Sequence, residues 1–214
     1  MLSRFIIASL FLGSLQFASG AVDRDYLQRG EEQLSSKYQI IYDRAVRDVL
    51  SRAWRPDVVV RMVHRPPFEP ESAAGIARAT HGYLAFEVTV SKHIWDALDF
   101  DKKQGKGDYR SIRPVLHKRP LPEPIAARIA ALWRHVLTNE RNYAVDSGVY
   151  LDSSHISYYV GFSPRERLSG YTTGWGPQSK QLINVAGAIV SYANGAAETE
   201  LLKAIKRAER KLGI

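Results

Sequence analysis

The amino-acid sequence predicts an α+β domain in which helices pack mainly on one face of an antiparallel sheet. Residues 83–91 and 155–162 alternate apolar and polar side chains, which is typical of strands that bury only one face. Helical patterns precede, separate and follow these strands, whereas a parallel doubly wound sheet alternates strands with helices and buries both strand faces. A single domain with its helices gathered on one side of the sheet is therefore expected.

The N-terminal residues have the pattern of an export signal. Arg4 precedes an apolar stretch over 5–17, and small residues follow at 18–21, where signal peptidase cleaves. A retained membrane anchor is the alternative, but the stretch contains polar residues and is shorter than the about 20 apolar residues of a spanning helix. The sequence therefore predicts a signal peptide over 1–21, a single domain over 22–214, no stable membrane span after cleavage, and a periplasmic or secreted location.

Composition limits both the chemistry and the partners of the chain. It contains no cysteine, so disulfides, thiol nucleophiles and cysteine metal sites are excluded, and packing alone must stabilise the fold. Its 30 basic and 22 acidic residues give a net charge of +8. Because an exported protein does not meet nucleic acid in the cytosol, the charge points to an acidic protein or an anionic envelope polymer, with solubility alone as the alternative.

The segment before residue 100 predicts one long helix, two strands and a short helix. Apolar residues recur at helical spacing over 23–54, and Pro56 ends that pattern. The β-branched residues of 57–63 predict a strand, which a proline-rich loop follows. The alternating segment 83–91 is the clearest strand, and a short helix over 92–98 is expected after it.

The C-terminal half predicts three helices and three short strands. Prolines at 120–124 suit the first turn of a helix, and the apolar stripe of that helix ends at Leu137. The expected elements after it are strands at 149–151, 155–162 and 168–173 and helices at 180–193 and 199–212.

Residues 101–119 are predicted to form a basic loop. They contain seven basic and two acidic residues, which accounts for most of the excess charge of the chain. Lysine and arginine side chains at such density bind phosphate or carboxylate groups, and arginine does so through two parallel hydrogen bonds. A mobile solvated loop without function is the alternative. The candidate binding residues are Lys102, Lys103, Arg110 and Arg113.

Aromatic residues form a second candidate group. Tyr159 and Tyr171 are predicted on the strand face opposite the core, and Trp175 is predicted in a turn. Exposed rings stack on sugars or anchor a protein partner, although they also cover the edge of a small core. The glycines and Pro164 between these aromatic residues are explained by turn geometry alone.

No assembled catalytic, metal or cofactor motif is found. Ser163 lacks the second glycine of a nucleophile elbow, and the six histidines show no close ligand spacing, although His64, His81 and His93 flank the best strands. No phosphate-binding or dinucleotide fingerprint is present, so no cofactor and no metal are expected.

These patterns favour a non-catalytic binding protein, either an inhibitor or immunity-type protein or an envelope adaptor. The basic loop would attract an acidic partner, and the outward aromatic residues would provide buried contact. One alternative is an envelope hydrolase that uses Glu87 with a histidine or an aspartate such as Asp152, which requires a pocket that joins these groups. The other alternative is an accessory subunit that docks into an assembly through its aromatic residues.

Overall fold

The structure is a computed structural model that describes residues 28–29, 34, 36–139, 154–163, 166–172 and 176–214. The predicted signal peptide over 1–21, the predicted strand at 149–151 and Trp175 lie outside the described residues. None of the helices in these ranges is long and apolar enough to cross a membrane.

One antiparallel sheet organises the described part of the chain. Its strands are β1 (Gln28–Arg29), β2 (Val58–Arg65), β3 (Ser72–Arg78), β4 (Tyr83–Thr89), β5 (Val115–Leu121), β6 (His155–Ser163) and β7 (Glu166–Thr172). They are ordered β1–β7–β6–β2–β3–β4–β5, and every neighbouring pair is antiparallel. The helices are α1 (Lys37–Val49), α2 (Ile94–Leu98), α3 (Phe100–Lys103), α4 (Glu123–Asn139), α5 (Pro177–Ala193) and α6 (Glu198–Leu212). The predicted α+β class is therefore confirmed.

Helices cover both faces of the sheet, so the prediction that they pack mainly on one face holds only in part: the long helices α4, α5 and α6 share one face, and α1 and α2 cover the other. The apolar face of β6, with Ile156 and Val160, packs with α4, α5 and α6. The apolar face of β4, with Phe86 and Val88, packs with α1 and α2 on the opposite side. Because the two clearest strands direct their apolar faces to opposite sides, each side needs its own helices to exclude water.

The first helix is shorter than the predicted segment 23–54. A capping box begins α1, because the Ser36 side chain accepts from the Gln39 N–H (3.1 Å) and Gln39 Oε1 accepts from the Ser36 N–H (3.1 Å). A 3-10 turn, Ser51–Trp54, follows the helix. The helix therefore ends at Val49, seven residues before Pro56, the residue that was expected to stop it.

Strand β3 was not predicted, and a glycine explains its close packing. Gly75 pairs with Arg61 on β2 and with Phe86 on β4. A Cβ atom at this position would collide with the carbonyl oxygen of Val60, so no larger residue fits without a shift of the backbone.

The segment 101–119 is folded, and the prediction that it forms a loop is wrong in two places. Its second part belongs to β5, which pairs with β4 and forms one edge of the described sheet. Its first part contains α3 and a 3-10 turn, Tyr109–Ser111, and the Tyr109 hydroxyl donates to Asp48 Oδ2 on α1 (2.9 Å). Burial, and then the hydrogen bond to Asp48, raise the pKa of Tyr109, which keeps this donor protonated.

Candidate binding site

Four aromatic side chains from three helices form a continuous surface group, here called the aromatic patch. It comprises Tyr38 and Tyr42 of α1, Trp95 of α2 and Phe100 of α3. The ring centroids of Tyr38 and Phe100 lie 5.2 Å apart, those of Phe100 and Trp95 lie 4.4 Å apart, and those of Trp95 and Tyr42 lie 5.1 Å apart. Tyr38 is 53% exposed and Trp95 is 39% exposed. Large rings that remain this accessible are unusual on a face not used for contact.

A buried carboxylate holds the two sides of the aromatic patch together. Glu71 is 0% exposed. Its Oε1 accepts from the Tyr42 hydroxyl (2.7 Å), and its Oε2 accepts from the backbone N–H of Ile94 at the start of α2 (2.8 Å). His93 Nε2 lies 3.4 Å from the same carboxylate. Glu71 therefore fixes Tyr42 of α1 relative to α2, the helix that carries Trp95.

Two of the predicted basic residues border the aromatic patch. Lys102 and Lys103 are exposed and lie in α3 with Phe100. Asp99 begins this helix, accepting from the Lys102 N–H (3.2 Å) and lying 3.9 Å from Lys103 Nζ. Residues 99–114 together carry five cations and three carboxylates, so the border is mixed in charge with a basic excess.

The other two predicted cations follow on the 3-10 turn beyond α3. The Arg110 guanidinium lies 5.1 Å from the centroid of the Tyr109 ring, and Arg113 Nη1 donates to the Arg110 carbonyl (3.1 Å). Both side chains are exposed. Arg119 belongs to another environment, because its Nη1 donates to the Ala196 carbonyl (2.6 Å) and so connects β5 to the link between α5 and α6.

Tyr159 and Tyr171 lie away from the four cations of the predicted basic loop. Tyr159 pairs with Arg61 of β2 and Tyr171 pairs with Ser157 of β6, and both tyrosines are half-buried. Strands β6 and β7 lie on one side of β2, whereas the basic segment connects β4 and β5 on its other side. The aromatic residues beside the predicted cations are thus Tyr109, which contacts Arg110, and Phe100 with its neighbour Trp95. The sequence did not single out Phe100 and Trp95.

Glu87 is placed in a structural contact. Its Oε2 accepts from Nδ2 of Asn194, the residue directly after α5 (2.5 Å), and His117 lies opposite Glu87 on β5. Glu87 lines neither the cleft beside α1 nor the groove between α5 and α6, and Asp152 lies outside the described residues. Within the described ranges, no group of three or more acidic or histidine side chains is placed to hold a metal ion.

The partly buried position of His64 on β2 predicts that the stability of the fold depends on pH. Burial lowers the pKa of His64 below its ordinary value of 6.5, although Glu69 opposes this effect. The unfolded chain therefore binds this proton more readily than the folded chain, and acid favours unfolding. We expect the free energy of unfolding to fall as the pH drops from about 7 to about 5, as measured by urea denaturation.

A His64→Gln variant isolates this contribution. It should flatten the acid branch of the stability profile, whereas His81→Gln, a change at an exposed turn position, should leave it unaltered. An acid branch of the same slope in His64→Gln would show that another group is responsible.

Comparison with protein-family models, with curated proteins and with solved structures finds no match to this chain. Its function is therefore inferred from the chemistry of its own surface.

Proposed function

We propose that the chain is an exported, non-catalytic binding protein that recognises an acidic partner protein. The aromatic patch forms the centre of the interface, and the cations of α3 and of the turn after it form the rim. The single observation that carries this proposal is the continuous, exposed contact among rings from three different helices.

The aromatic patch has the properties of an interface centre. Tryptophan and tyrosine are enriched among the residues that dominate binding energies, and their two side-chain torsions lose little entropy on binding. Edge-to-face contacts and the hydrogen bond from Tyr42 to Glu71 already restrict the rings. A preordered patch retains more of its contact energy as affinity, because less side-chain ordering remains to be done on binding.

The charge distribution supports an acidic partner. The net charge of the chain is +8, and residues 99–114 contribute a basic excess beside the patch. Exposed cations around an apolar centre accelerate association with an acidic surface more than they increase affinity, and salt screens this effect over a Debye length of about 8 Å at physiological ionic strength.

Substitution of Trp95 by alanine should strongly weaken partner capture. Trp95 contacts both Tyr42 and Phe100, so its loss divides the patch. Envelope extract is passed over the immobilised protein, and the Kd of each enriched acidic protein is then measured in purified form. The Kd for the partner is expected to rise by about thirtyfold or more for Trp95→Ala, the effect of a central aromatic residue.

Two matched comparisons make this experiment specific. Phe68→Ala removes an aromatic ring that is 78% exposed and makes none of the ring contacts of the patch, so it should leave capture intact. The second comparison uses two variants, each with four cations replaced by glutamine. The test variant changes the predicted binding cations Lys102, Lys103, Arg110 and Arg113 (the first set). The control variant changes the exposed cations Lys206, Arg207, Arg210 and Lys211 on α6 (the second set).

Neutralising the first set should slow association and flatten its salt dependence more than neutralising the second. If Trp95→Ala and Phe68→Ala retain the same partners with the same affinity, the aromatic patch is not the binding surface. If the two charge variants behave alike, the basic segment has no part in recognition.

A further inference from the structure

Strand β5 is exposed along its first half. Within the described residues it pairs with β4 alone and forms one edge of the sheet. All four residues of 115–118 are exposed, including the apolar side chains of Val115 and Leu116. Exposed edge strands are surfaces to which an extended segment of another chain can add by main-chain hydrogen bonds.

Pro120 indicates which backbone groups of β5 point away from β4. It lies opposite Leu84 of β4, and because proline has no N–H it cannot exchange both ladder hydrogen bonds with that residue. Its carbonyl instead accepts from the hydroxyl of Tyr192 on α5 (2.7 Å). Because backbone groups alternate in direction along a strand, the N–H and C=O groups of Leu116 and Lys118 point away from β4 as well.

The outward edge of β5 that can form hydrogen bonds is short. Pro114, directly before the strand, and Pro120 share the alternation of Leu116 and Lys118, and a proline has no N–H to offer. Between these prolines, Leu116 and Lys118 supply two outward donors and two outward acceptors, for which the described part of the chain shows no backbone partner. Four hydrogen bonds to one added strand can therefore form here.

The charge around this edge is basic. Residues 109–122 contain four arginine or lysine residues and no aspartate or glutamate. Arg113 and Lys118 are exposed, whereas the Arg119 side chain donates to the Ala196 carbonyl. Carboxylates on an added strand would form opposite-charge pairs with the exposed cations, and cations on that strand would meet like charges. The edge therefore favours an acidic strand.

The outward residues of β5 share a face of the sheet with the helices of the aromatic patch. Leu116 and Lys118 lie opposite Val88 and Phe86 of β4, and directly opposed residues place their side chains on the same face. Phe86 and Val88 pack with α1 and α2. A strand added to β5 would therefore extend the sheet on the side where the aromatic patch lies.

We propose that β5 binds an extended acidic segment of the partner protein as an added strand. The backbone groups of Leu116 and Lys118 supply the hydrogen bonds, and Arg113 and Lys118 select for carboxylates in that segment. This inference rests on the proposed function, because it states the form in which part of the acidic partner binds. It adds a requirement for conformation, since the segment must be extended and must contain no proline where it pairs.

The test measures the binding of three synthetic eight-residue peptides to the full chain by calorimetry. Glutamate alternates with threonine in the acidic peptide, and glutamine replaces glutamate in the neutral peptide. The blocked peptide is the acidic peptide with its two central amides N-methylated, which removes a donor from each edge and leaves the charge unchanged. We expect the acidic peptide to bind with a Kd below about 1 mM, and the other two to bind about tenfold or more weakly.

Amide hydrogen exchange, followed for each residue by nuclear magnetic resonance, tests the geometry. In the free protein the N–H groups of His117 and Arg119, which face β4, should exchange slowly, and those of Leu116 and Lys118 should exchange rapidly. Saturation with the acidic peptide should slow exchange at Leu116 and Lys118. Slow exchange at these two residues before the peptide is added would overturn the proposal.

Two substitutions of Leu116 form a matched pair. Leu116→Pro removes one outward N–H without removing a hydrogen bond to β4, whereas Leu116→Ala shortens the side chain and keeps the N–H. The proline variant should weaken binding of the acidic peptide by about tenfold or more, and the alanine variant by less than about threefold. If Leu116→Pro fails to fold, the blocked peptide still tests the strand pairing.

Charge selection has its own matched pair. Lys118→Gln should reduce the difference in affinity between the acidic and the neutral peptide, because it removes the cation that lies on the pairing edge. Lys206→Gln, which removes an exposed cation on α6, should leave this difference unchanged.

Three outcomes would overturn the proposal. The first is no saturable binding of the acidic peptide, and the second is equal binding of the blocked peptide. The third is a dimer in sedimentation equilibrium that Leu116→Pro abolishes, because a second copy of the chain would then occupy the edge.

The variant Trp95→Ala distinguishes failure of this inference from failure of the proposed function. It should leave the affinity for the acidic peptide unchanged, because Trp95 is not part of the β5 edge. Partner capture that depends on Trp95, without peptide binding, would contradict this inference alone. Peptide binding, without any partner whose capture depends on Trp95, would contradict the proposed function alone.

Discussion

Replacement of Trp133 by alanine is expected to lower the free energy of unfolding by about 3–5 kcal/mol, the range for removal of a large aromatic side chain from a core. Trp133 lies on α4, is 0% exposed, and belongs to the larger core between the sheet and helices α4–α6. The loss combines apolar contact with a cavity that its packed neighbours cannot fill. Urea denaturation monitored by circular dichroism measures the change.

Two comparisons define what the Trp133 result means. Trp133→Phe should cost less than the alanine change, because the ring is mostly retained and the buried Nε1, which has no acceptor, is removed. Trp95→Ala should change stability by less than about 1 kcal/mol, since that side chain is partly exposed. A Trp133→Ala protein as stable as the unmodified chain would mean that α4 does not pack as described.

Replacement of Glu71 by alanine is the second substitution expected to have a large effect, of about 3 kcal/mol. The change leaves the Tyr42 hydroxyl and the Ile94 N–H without their acceptor in a buried environment. Each unsatisfied donor costs about 1–3 kcal/mol, and the two costs are not additive because both groups can relax. Glu69→Ala, an exposed position in the same connection, is the matched control and should be near neutral.

A double-mutant cycle with Tyr42→Phe tests the mechanism of the Glu71 effect. If the carboxylate acts through Tyr42, part of the Glu71→Ala cost should be absent when the hydroxyl has already been removed. Fully additive costs would contradict the hydrogen bond as the link between α1 and α2. Because Glu71 positions the turn that carries Trp95, Glu71→Ala should also weaken partner capture, whereas Trp133→Phe should not.

Alternation and amphipathic spacing were sufficient to predict most of the sheet and the long helices. Strands β4 and β6 were recognised because large apolar residues alternate along them. Strand β3 was missed because Ala73, Ala74, Gly75 and Ala77 give no contrast between its faces. Strand β5 was missed because it is an exposed edge strand whose charges resemble those of a loop. The distribution of helices over both faces of the sheet depends on the side to which the apolar face of each strand points. The sequence of one strand does not specify that side.

The candidate site was predictable only in part. Composition identified Lys102 and Lys103, because a cluster of cations is visible within one short segment. The aromatic patch was missed because Tyr38, Trp95 and Phe100 come from three helices, and no periodic pattern connects residues so far apart in the chain. Tyr38 and Tyr42, four residues apart on α1, were the available indication that a helix presents aromatic residues on one side.

In the described part of the sheet, β5 is an edge strand, and this has a consequence for the protein at high concentration. An unpaired strand can template growth of the sheet from one molecule to the next, and β5 also exposes Val115 (50%) and Leu116 (43%). Antiparallel pairing of two copies centred on Lys118 would place like charges opposite each other, and Pro120 offers no N–H to an incoming strand. The charged residues and the proline that made β5 resemble a loop in the sequence thus oppose fibrous self-association. The charge repulsion is screened by salt, so this effect weakens as the salt concentration rises.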